Sequence, residues 1–300
     1  MTLVVGATGL VGSAICRRLR ARGTRVRAFV RADSPGAPRL HEIGCDLAVG
    51  DLTDEASVTA ACHRGAVVVA TANTAMRRRS SDRIDAVDRL GLLRLVDQAR
   101  RAGAARFVFT SVSPNLPVDN TFIQAKREVE AAVEASGMSW IVLQPAALME
   151  IHTGPIGGWD FARGRARMVG QGRAPASYIS AHDVAAFGVA AATASPGTNV
   201  RWRLAGPEPL SPIDAIRIAE RVTGRPFKVQ RMPAAVLRAV SSAIRPFNPT
   251  LGALLRMVAA GEHGDTANTA PLAGELGIRQ ITFEQYVRAA IGGGLPEGAL

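Results

Sequence analysis

Along the first half of the chain, short unbroken apolar runs alternate with stretches in which apolar positions return every three or four residues. The runs occupy 3–5, 25–30, 45–52, 66–72, 106–111 and 140–143. A run that is apolar on both faces fits a strand buried in a parallel sheet. Between the runs, Ala14, Ile15 and Leu19 share one face of a helix closed by Gly23. Val87, Leu90, Leu93, Leu95 and Val96 do the same over 84–102, closed by Gly103. A third helix runs from Thr121 to about Ser136 and stops at Gly137. Strands alternating with helices need crossover connections, so the expected fold class is α/β with a doubly wound parallel sheet.

The pattern changes after Pro145. Residues 152–175 are rich in glycine and arginine and read as loop. Residues 178–180 read as a strand, followed by a capped helix near Asp183 and a further strand at 201–204. From Pro207 the chain is mostly helical, with Ser211 and Pro212 as a start signal. Apolar helices over 234–244 and 250–260, separated by Pro246 and Pro249, fit either a lid or a subunit contact.

The first strand leads into Gly6-Ala-Thr-Gly-Leu-Val-Gly12. Strand, glycine turn and helix in that order suit a dinucleotide pyrophosphate. One glycine permits the tight turn, one lets phosphate approach the backbone, and one lets helix pack on strand. The helix N-terminus then offers unpaired N–H groups and a partial positive charge. Gly6, Thr8, Gly9, Leu10, Val11 and Gly12 are therefore cofactor-binding candidates in a Rossmann-type domain. The second strand ends in Val30-Arg31, with no carboxylate until Asp33. A carboxylate there would take a ribose hydroxyl, whereas a guanidinium accommodates a 2′-phosphate, so NADP(H) is favoured over NAD(H), which stays open. Asp51 and Leu52, at the end of the third strand, are placed beside the adenine, and Asp51 is also a candidate cap for the helix near Asp54. Thr71, Ala72 and Asn73 follow the fourth strand beside the cofactor. The expected organisation is a cofactor domain over 1–150, which also receives strands from 176–205. A smaller, mostly helical substrate region takes 151–175 and 206–300.

Composition adds little to this picture. The chain is 47% apolar, with ample core, and lacks the run of about eighteen uncharged residues that a membrane span needs. No basic-then-apolar leader precedes the first strand, so a cytoplasmic protein is expected. Cys16, Cys45 and Cys62 are too dispersed for a zinc or redox motif and read as buried thiols. Five scattered histidines form no ligand cluster, so no metal site is expected. Net charge is +11, yet Lys126 and Lys228 are the only lysines and the arginines are scattered. With no recognised binding motif beside the charge, nucleic acid is disfavoured as a partner. The tight run Arg77-Arg78-Arg79 reads as a solvated loop that could border a cofactor's phosphates.

The motifs in order resemble an atypical short-chain dehydrogenase/reductase of the NmrA-like, isoflavone-reductase-like kind. Besides the glycine turn and Val30-Arg31, they are Gly50-Asp51-Leu52, Phe109-Thr-Ser111, Lys126-Arg-Glu-Val-Glu130 and Gln144-Pro145. Asp183-Val-Ala185 and Thr282-Phe-Glu-Gln-Tyr286 complete the set. The resemblance implies a catalytic serine at Ser111, a lysine at Lys126 that also meets the nicotinamide ribose, and Pro145 beside the cofactor. The family's acid–base tyrosine falls at Phe122, which can neither donate nor accept a proton; Tyr178 and Tyr286 lie elsewhere. Lys126 then transfers the proton directly or through water, or only binds ribose. Alternatively, the acceptor is a quinone that asks less of a protein acid, or there is no turnover and the chain senses its cofactor. His152 and His182 are weaker candidates, the latter read as a cap, and Leu148 and Met149 are placed against the nicotinamide. The expected function is an NADPH-dependent oxidoreductase delivering hydride to a small carbonyl, enone or quinone, as monomer or homodimer. The alternative is a cofactor-binding redox sensor.

Overall fold

The computed structural model describes residues 1–74, 82–116 and 120–293, so the arginine run 77–79 lies outside the described residues. The chain divides into two compact units. The first comprises Met1–Val112, Thr121–Gln144 and Val184–Trp202, and the second Ser113–Asn120, Pro145–Asp183 and Arg203–Leu300. The strands are β1 (Thr2–Val5), β2 (Val26–Val30), β3 (Asp46–Val49), β4 (Val67–Ala70), β5 (Arg106–Thr110), β6 (Ser139–Pro145), β7 (Arg165–Val169), β8 (Asn199–Leu204) and β9 (Lys228–Met232). The helices are α1 (Leu10–Ala21), α2 (Ala37–Glu42), α3 (Glu55–Ala61), α4 (Leu92–Arg101), α5 (Thr121–Glu134), α6 (Met149–His152), α7 (Ala181–Thr193), α8 (Pro212–Thr223), α9 (Ala234–Ile244), α10 (Pro249–Ala260), α11 (Ala270–Glu275) and α12 (Phe283–Ile291).

The fold class is the one expected. A seven-stranded sheet runs in the order β3-β2-β1-β4-β5-β6-β8, with β1 paired in parallel to both β2 and β4. Val4 lies opposite Ala28 and Val69 in that register, and all three are fully buried. Between β1 and β4 the strand order reverses, so the loops after these two strands diverge and open a crevice at their carboxyl ends. One face of the sheet is covered by Leu92, Leu95 and Val96 of α4 and by Val129 and Val133 of α5, packed on Val68, Phe107 and Phe109. Apolar burial on this scale, at roughly 25 cal/mol per Å², holds the crevice loops on a rigid base.

Three expectations about local structure are corrected. The helix expected over 84–102 is not uniform: Asp85–Gly91 is π-helical, and α4 begins only at Leu92. A π turn takes more residues per revolution. The apolar stripe therefore shifts, Leu90 is exposed, and Leu92 is fully buried in its place. Residues 152–175 and the tail are not strand-free. Strands β7 and β9 pair in parallel, with Ala166 and Met168 buried while Arg165 and Arg167 stay exposed. The arginines hide this period of two in a stretch that otherwise looks like loop. Residues 178–180 form no strand, only an isolated bridge from Ile179 to Leu148.

The start of α7 is also held differently. The Asp183 carboxylate accepts the Ile281 N–H at 2.9 Å. The first N–H groups of α7 are met by Glu150, whose two oxygens accept the Ala181 N–H at 3.0 and 2.9 Å while Ser180 Oγ donates to it at 2.7 Å, and by Ser180 Oγ, which accepts the His182 N–H at 3.2 Å. Burial pushes the Glu150 carboxyl up from its ordinary value, and these donors oppose the shift. Met149, expected against the nicotinamide, is instead buried with Trp159, Phe161, Tyr178, Phe283 and Tyr286 in the core of the second unit. The rings of that core meet largely edge-on or tilted, with centroids 5.9 to 6.4 Å apart. The two tyrosines are thus packing residues, and burial pushes Tyr178 up to about 12. Replacing Glu150 by alanine should destabilise the chain by about 1–3 kcal/mol, because the freed Ala181 N–H and Ser180 hydroxyl stay buried. Urea unfolding of the variant measures this, and an unchanged midpoint would contradict the capping role.

Candidate functional site

The glycine turn is built as its spacing requires. Gly6 has φ +82°, and a Cβ there would stand 2.6 Å from Ala72 N and 2.8 Å from Thr71 Oγ1. At Gly12 a Cβ would come within 2.2 Å of the Gly6 carbonyl oxygen. The Gly9 N–H donates to that same oxygen at 2.9 Å and Gly9 opens α1. Helix α1 begins with no side-chain cap and no acidic residue in its first turn. Its first N–H groups and dipole are left for an anion, and the missing β-carbons leave a cradle that only glycine permits. A dinucleotide pyrophosphate fits this set. Val11 is buried in the first turn, Leu10 is exposed, and Thr71 Oγ1 donates to the Val5 carbonyl at 3.1 Å, tying β4's loop to the turn.

Two residues that sequence reasoning missed complete the end of β2. Ser34 donates to Thr8 Oγ1 at 3.0 Å, and its N–H donates to the Arg31 carbonyl at 3.0 Å. Arg31 Nη1 meets Asp82 Oδ1 at 2.8 Å, with less than a third of the arginine side chain exposed. Thr8, Arg31 and Ser34 therefore share one corner, and Asp82 holds one edge of the guanidinium. Asp51 turns back on its own loop, accepting from Thr53 N at 2.9 Å and Thr53 Oγ1 at 2.7 Å. The α3 cap expected of Asp51 is supplied by Asp54, which accepts from Ala56 N and Ser57 N. Leu52 is buried and its carbonyl accepts from Arg94 at 2.7 Å. Asn73 lies exposed after Thr71, with Nδ2 3.4 Å from the Thr71 carbonyl. Pro145 ends β6, and its carbonyl accepts the Ser113 N–H at 3.0 Å.

Lys126 is not an exposed helical lysine. Its side chain is 2% exposed, and Nζ lies 3.4 Å from Asp88 Oδ1. Nζ also donates to the Ala72 carbonyl at 3.5 Å, and it stands 5.2 and 5.3 Å from the ring centres of Phe109 and Phe122. The aromatic faces favour the cation, and so does the carboxylate. Burial dominates, however, and holds the Lys126 ammonium below its ordinary value, with Asp88 and then Glu130 opposing the shift. Asp88 is fully buried on the π-helical turn, and its Oδ2 accepts from Thr74 N at 3.1 Å and Thr74 Oγ1 at 2.5 Å. A polar residue between the expected apolar positions of this helix was the one available signal for Asp88. Ser111, also buried, donates its hydroxyl hydrogen to Glu130, which further accepts from Arg127 at 2.5 Å and Gln144 at 3.1 Å. The structure thus forms two adjoining networks, Lys126–Asp88–Thr74 and Ser111–Glu130–Gln144–Arg127. His152 is exposed, with Nδ1 3.1 Å from the Leu148 carbonyl. Among the described residues no cluster could hold a metal ion, and no helix is long and apolar enough to cross a membrane.

Residues 6–195 match the NAD(P)H-binding family. The chain belongs to that family. It is 28% identical to the photosystem II assembly factor Ycf39 of Synechocystis sp., over 97% of this chain and 90% of the relative. It is 29% identical to the NAD(P)H azoreductase of Xenophilus azovorans, over 76% of each. Among solved structures, the NADPH-dependent quinone oxidoreductase of Escherichia coli in complex with NADPH superposes with a TM-score of 0.74 at 17% identity, covering 97% of this chain and 100% of that one. The likeness at that identity is one of fold. The glycine cradle gives the family a direct test in this chain. Gly12→Val should weaken NADPH binding by roughly tenfold or more, because helix and turn can no longer close around the pyrophosphate. Tryptophan and NADPH fluorescence titrations measure it, and retained affinity would refute the cradle.

Proposed function

We propose that the chain is an NADPH-dependent oxidoreductase acting on a small carbonyl, enone or quinone, with Lys126 as its proton-handling residue. The observation that carries this reading is the buried Lys126–Asp88 pair beneath the Ala72 carbonyl, in a chain with Phe122 where a tyrosine is expected. Bound NADPH would supply the hydride. Gly6, Gly9 and Gly12 with the start of α1 would hold its pyrophosphate, and Leu52, Asp51, Thr71, Ala72 and Asn73 would flank it along the crevice. Thr8, Arg31 and Ser34 would take a 2′-phosphate, with Asp82 orienting the guanidinium. Lys126 Nζ would donate the proton, directly or through a water, and Asp88 would keep the ammonium charged and aimed. Ser111 has its own proton on Glu130, so its part in proton movement would run through that carboxylate. A quinone or azo acceptor asks least of a single buried acid, and the azoreductase likeness supports that class.

A second reading has its own support. One relative that matches over 97% of this chain is an assembly factor. With no tyrosine acid, a cofactor-bound state that signals without turnover remains consistent with the site. Consumption of NADPH with a panel of quinones, enones and azo dyes separates the two: turnover on any class supports the enzyme, and silence across all of them supports the sensor.

Two outcomes test the named residues. Arg31→Glu should lower NADPH affinity at least tenfold while leaving NADH within a few-fold, since a bidentate phosphate contact is lost and replaced by repulsion. Equal loss for both cofactors would remove Arg31 from the 2′-phosphate corner. For Lys126, the charged groups facing Nζ are Asp88 from the π-helical turn and Glu130 from α5. The ammonium acts as the acid below its lowered pKa, so turnover should fall as pH rises through that value. Asp88→Asn removes the charge that supports the cation and should move the fall to lower pH. A pH profile unchanged in Asp88→Asn, or full activity in Lys126→Met, would exclude the lysine from proton transfer.

A further inference from the structure

Two stretches of the second unit carry positive charge with no acidic residue among them. Residues 161–182 hold four arginines, and residues 221–261 hold six arginines and one lysine. The fold brings the two stretches together, because β7 comes from the first and β9 from the second, and these strands pair in parallel. In their register Arg165 lies opposite Lys228, and Arg167 lies opposite Gln230. Side chains alternate between the faces of a strand, so these four share one face while Ala166 and Met168 are buried on the other. All four are exposed, and with Gly158 they line a cleft of about 550 Å³.

Three contacts hold Arg167 in place. Gln230 Oε1 accepts from its Nε at 3.2 Å. Gly158, at φ +81°, leaves room for its side chain: a Cβ there would stand 3.0 Å from Arg167 Cβ and 3.2 Å from Cζ. Behind the strand, Trp159 Nε1 donates to the Arg167 carbonyl at 2.9 Å and ties it to the aromatic core. With Nε engaged, the Nη1–Nη2 edge of the guanidinium is the one left for a ligand. Among the described residues no carboxylate forms an ion pair with Arg165, Arg167 or Lys228. Asp160, which bridges to Arg165 through the backbone, gives its carboxylate to Arg163 at 3.0 Å. Neighbouring strands lie about 4.8 Å apart, so the like charges of Arg165 and Lys228 oppose each other at a cost. A ligand with negative charges equally close together removes that cost. The adjoining phosphates of a di- or triphosphate are so arranged, and their oxygen pairs match a guanidinium fork. An acidic peptide spreads its carboxylates over separate side chains, and a nucleic-acid strand extends well beyond a cleft of small-molecule volume.

We propose that the exposed face of β7 and β9 binds a compact polyphosphate group, with Arg165, Arg167 and Lys228 supplying the positive charge and Gln230 orienting Arg167. The site is independent of the redox reading, because none of these residues belongs to the glycine turn or to the Lys126 network. Calorimetric titration of the full chain with inorganic triphosphate, and separately with ATP, tests it. Triphosphate should bind at least tenfold more tightly than monophosphate at equal ionic strength, since screening then acts alike on both. Arg165→Gln with Lys228→Gln should weaken triphosphate binding at least tenfold through lost charge. Arg167→Lys keeps the charge but loses the fork and should weaken it several-fold. The binding should survive Gly12→Val, which disables the cradle of the first unit. These side chains are exposed, so Tm and NADPH affinity should stay unchanged in the double variant and report intact folding. Tighter binding of ATP than of triphosphate supports a nucleotide as the source of the group, and the reverse supports a free phosphate chain. Absence of triphosphate binding, or unchanged affinity in the double variant, would overturn the proposal. So would loss of binding in Gly12→Val with retention in the double variant, which assigns the anion to the glycine turn. Tighter binding of a thymidine oligonucleotide than of triphosphate would likewise overturn it, in favour of a nucleic-acid backbone.

Discussion

A lysine ammonium withdrawn from water, with the Asp88 carboxylate against it, is the constraint around which the first unit is arranged. Removing a cation from solvent costs several kcal/mol unless a close charge and good hydrogen bonds offset it. Here Asp88 supplies the charge, Thr74 holds Asp88 through two hydrogen bonds, and the faces of Phe109 and Phe122 close the remaining sides. The π-helical turn puts Asp88 inside, where a regular helix with the expected stripe would have turned Leu90 inward. Phe122 gains meaning in this setting. A tyrosine there would have offered a proton, whereas the phenyl ring offers only a face to a cation.

The loop over residues 71–74 joins that pair to the glycine turn. Thr71 and Ala72 pack against Gly6 so closely that no β-carbon fits, the Ala72 carbonyl meets Lys126, and Thr74 fixes Asp88. Within four consecutive residues, Thr71, Ala72 and Thr74 thus reach both the glycine turn and the Lys126–Asp88 pair. This economy follows from the sheet: β1 and β4 are neighbours at the place where the strand order reverses, so their loops share one crevice.

Much of this was legible in the sequence, and the omissions have physical causes. The buried strands and the glycine spacing follow from local pattern, because apolar runs and missing side chains act over a few residues. Asp88, Asp82, Ser34 and Glu130 are partners chosen by tertiary proximity, 14 to 51 residues from the groups they bind. No local rule reports such pairings. Strands β7 and β9 were hidden by arginines on their exposed positions, and the Ala181 N–H at the start of α7 is met by Glu150, 31 residues away. Cys16 and Cys45 make the same point: dispersed in sequence, they are buried neighbours in the fold.

The shared loop also carries a thermodynamic consequence. The Gly6 turn and Lys126 contact the same backbone at Ala72, so occupancy of the cradle and protonation of the lysine are two ligations of one element. Linkage between such events is reciprocal. To the extent that a nucleotide changes the proton affinity of Lys126, the proton changes the affinity for the nucleotide by the same factor, and binding is accompanied by uptake or release of hydrogen ions. Under the proposed function, the glycine turn and Lys126 would form a single proton-coupled receptor rather than a binding site with a catalytic group beside it.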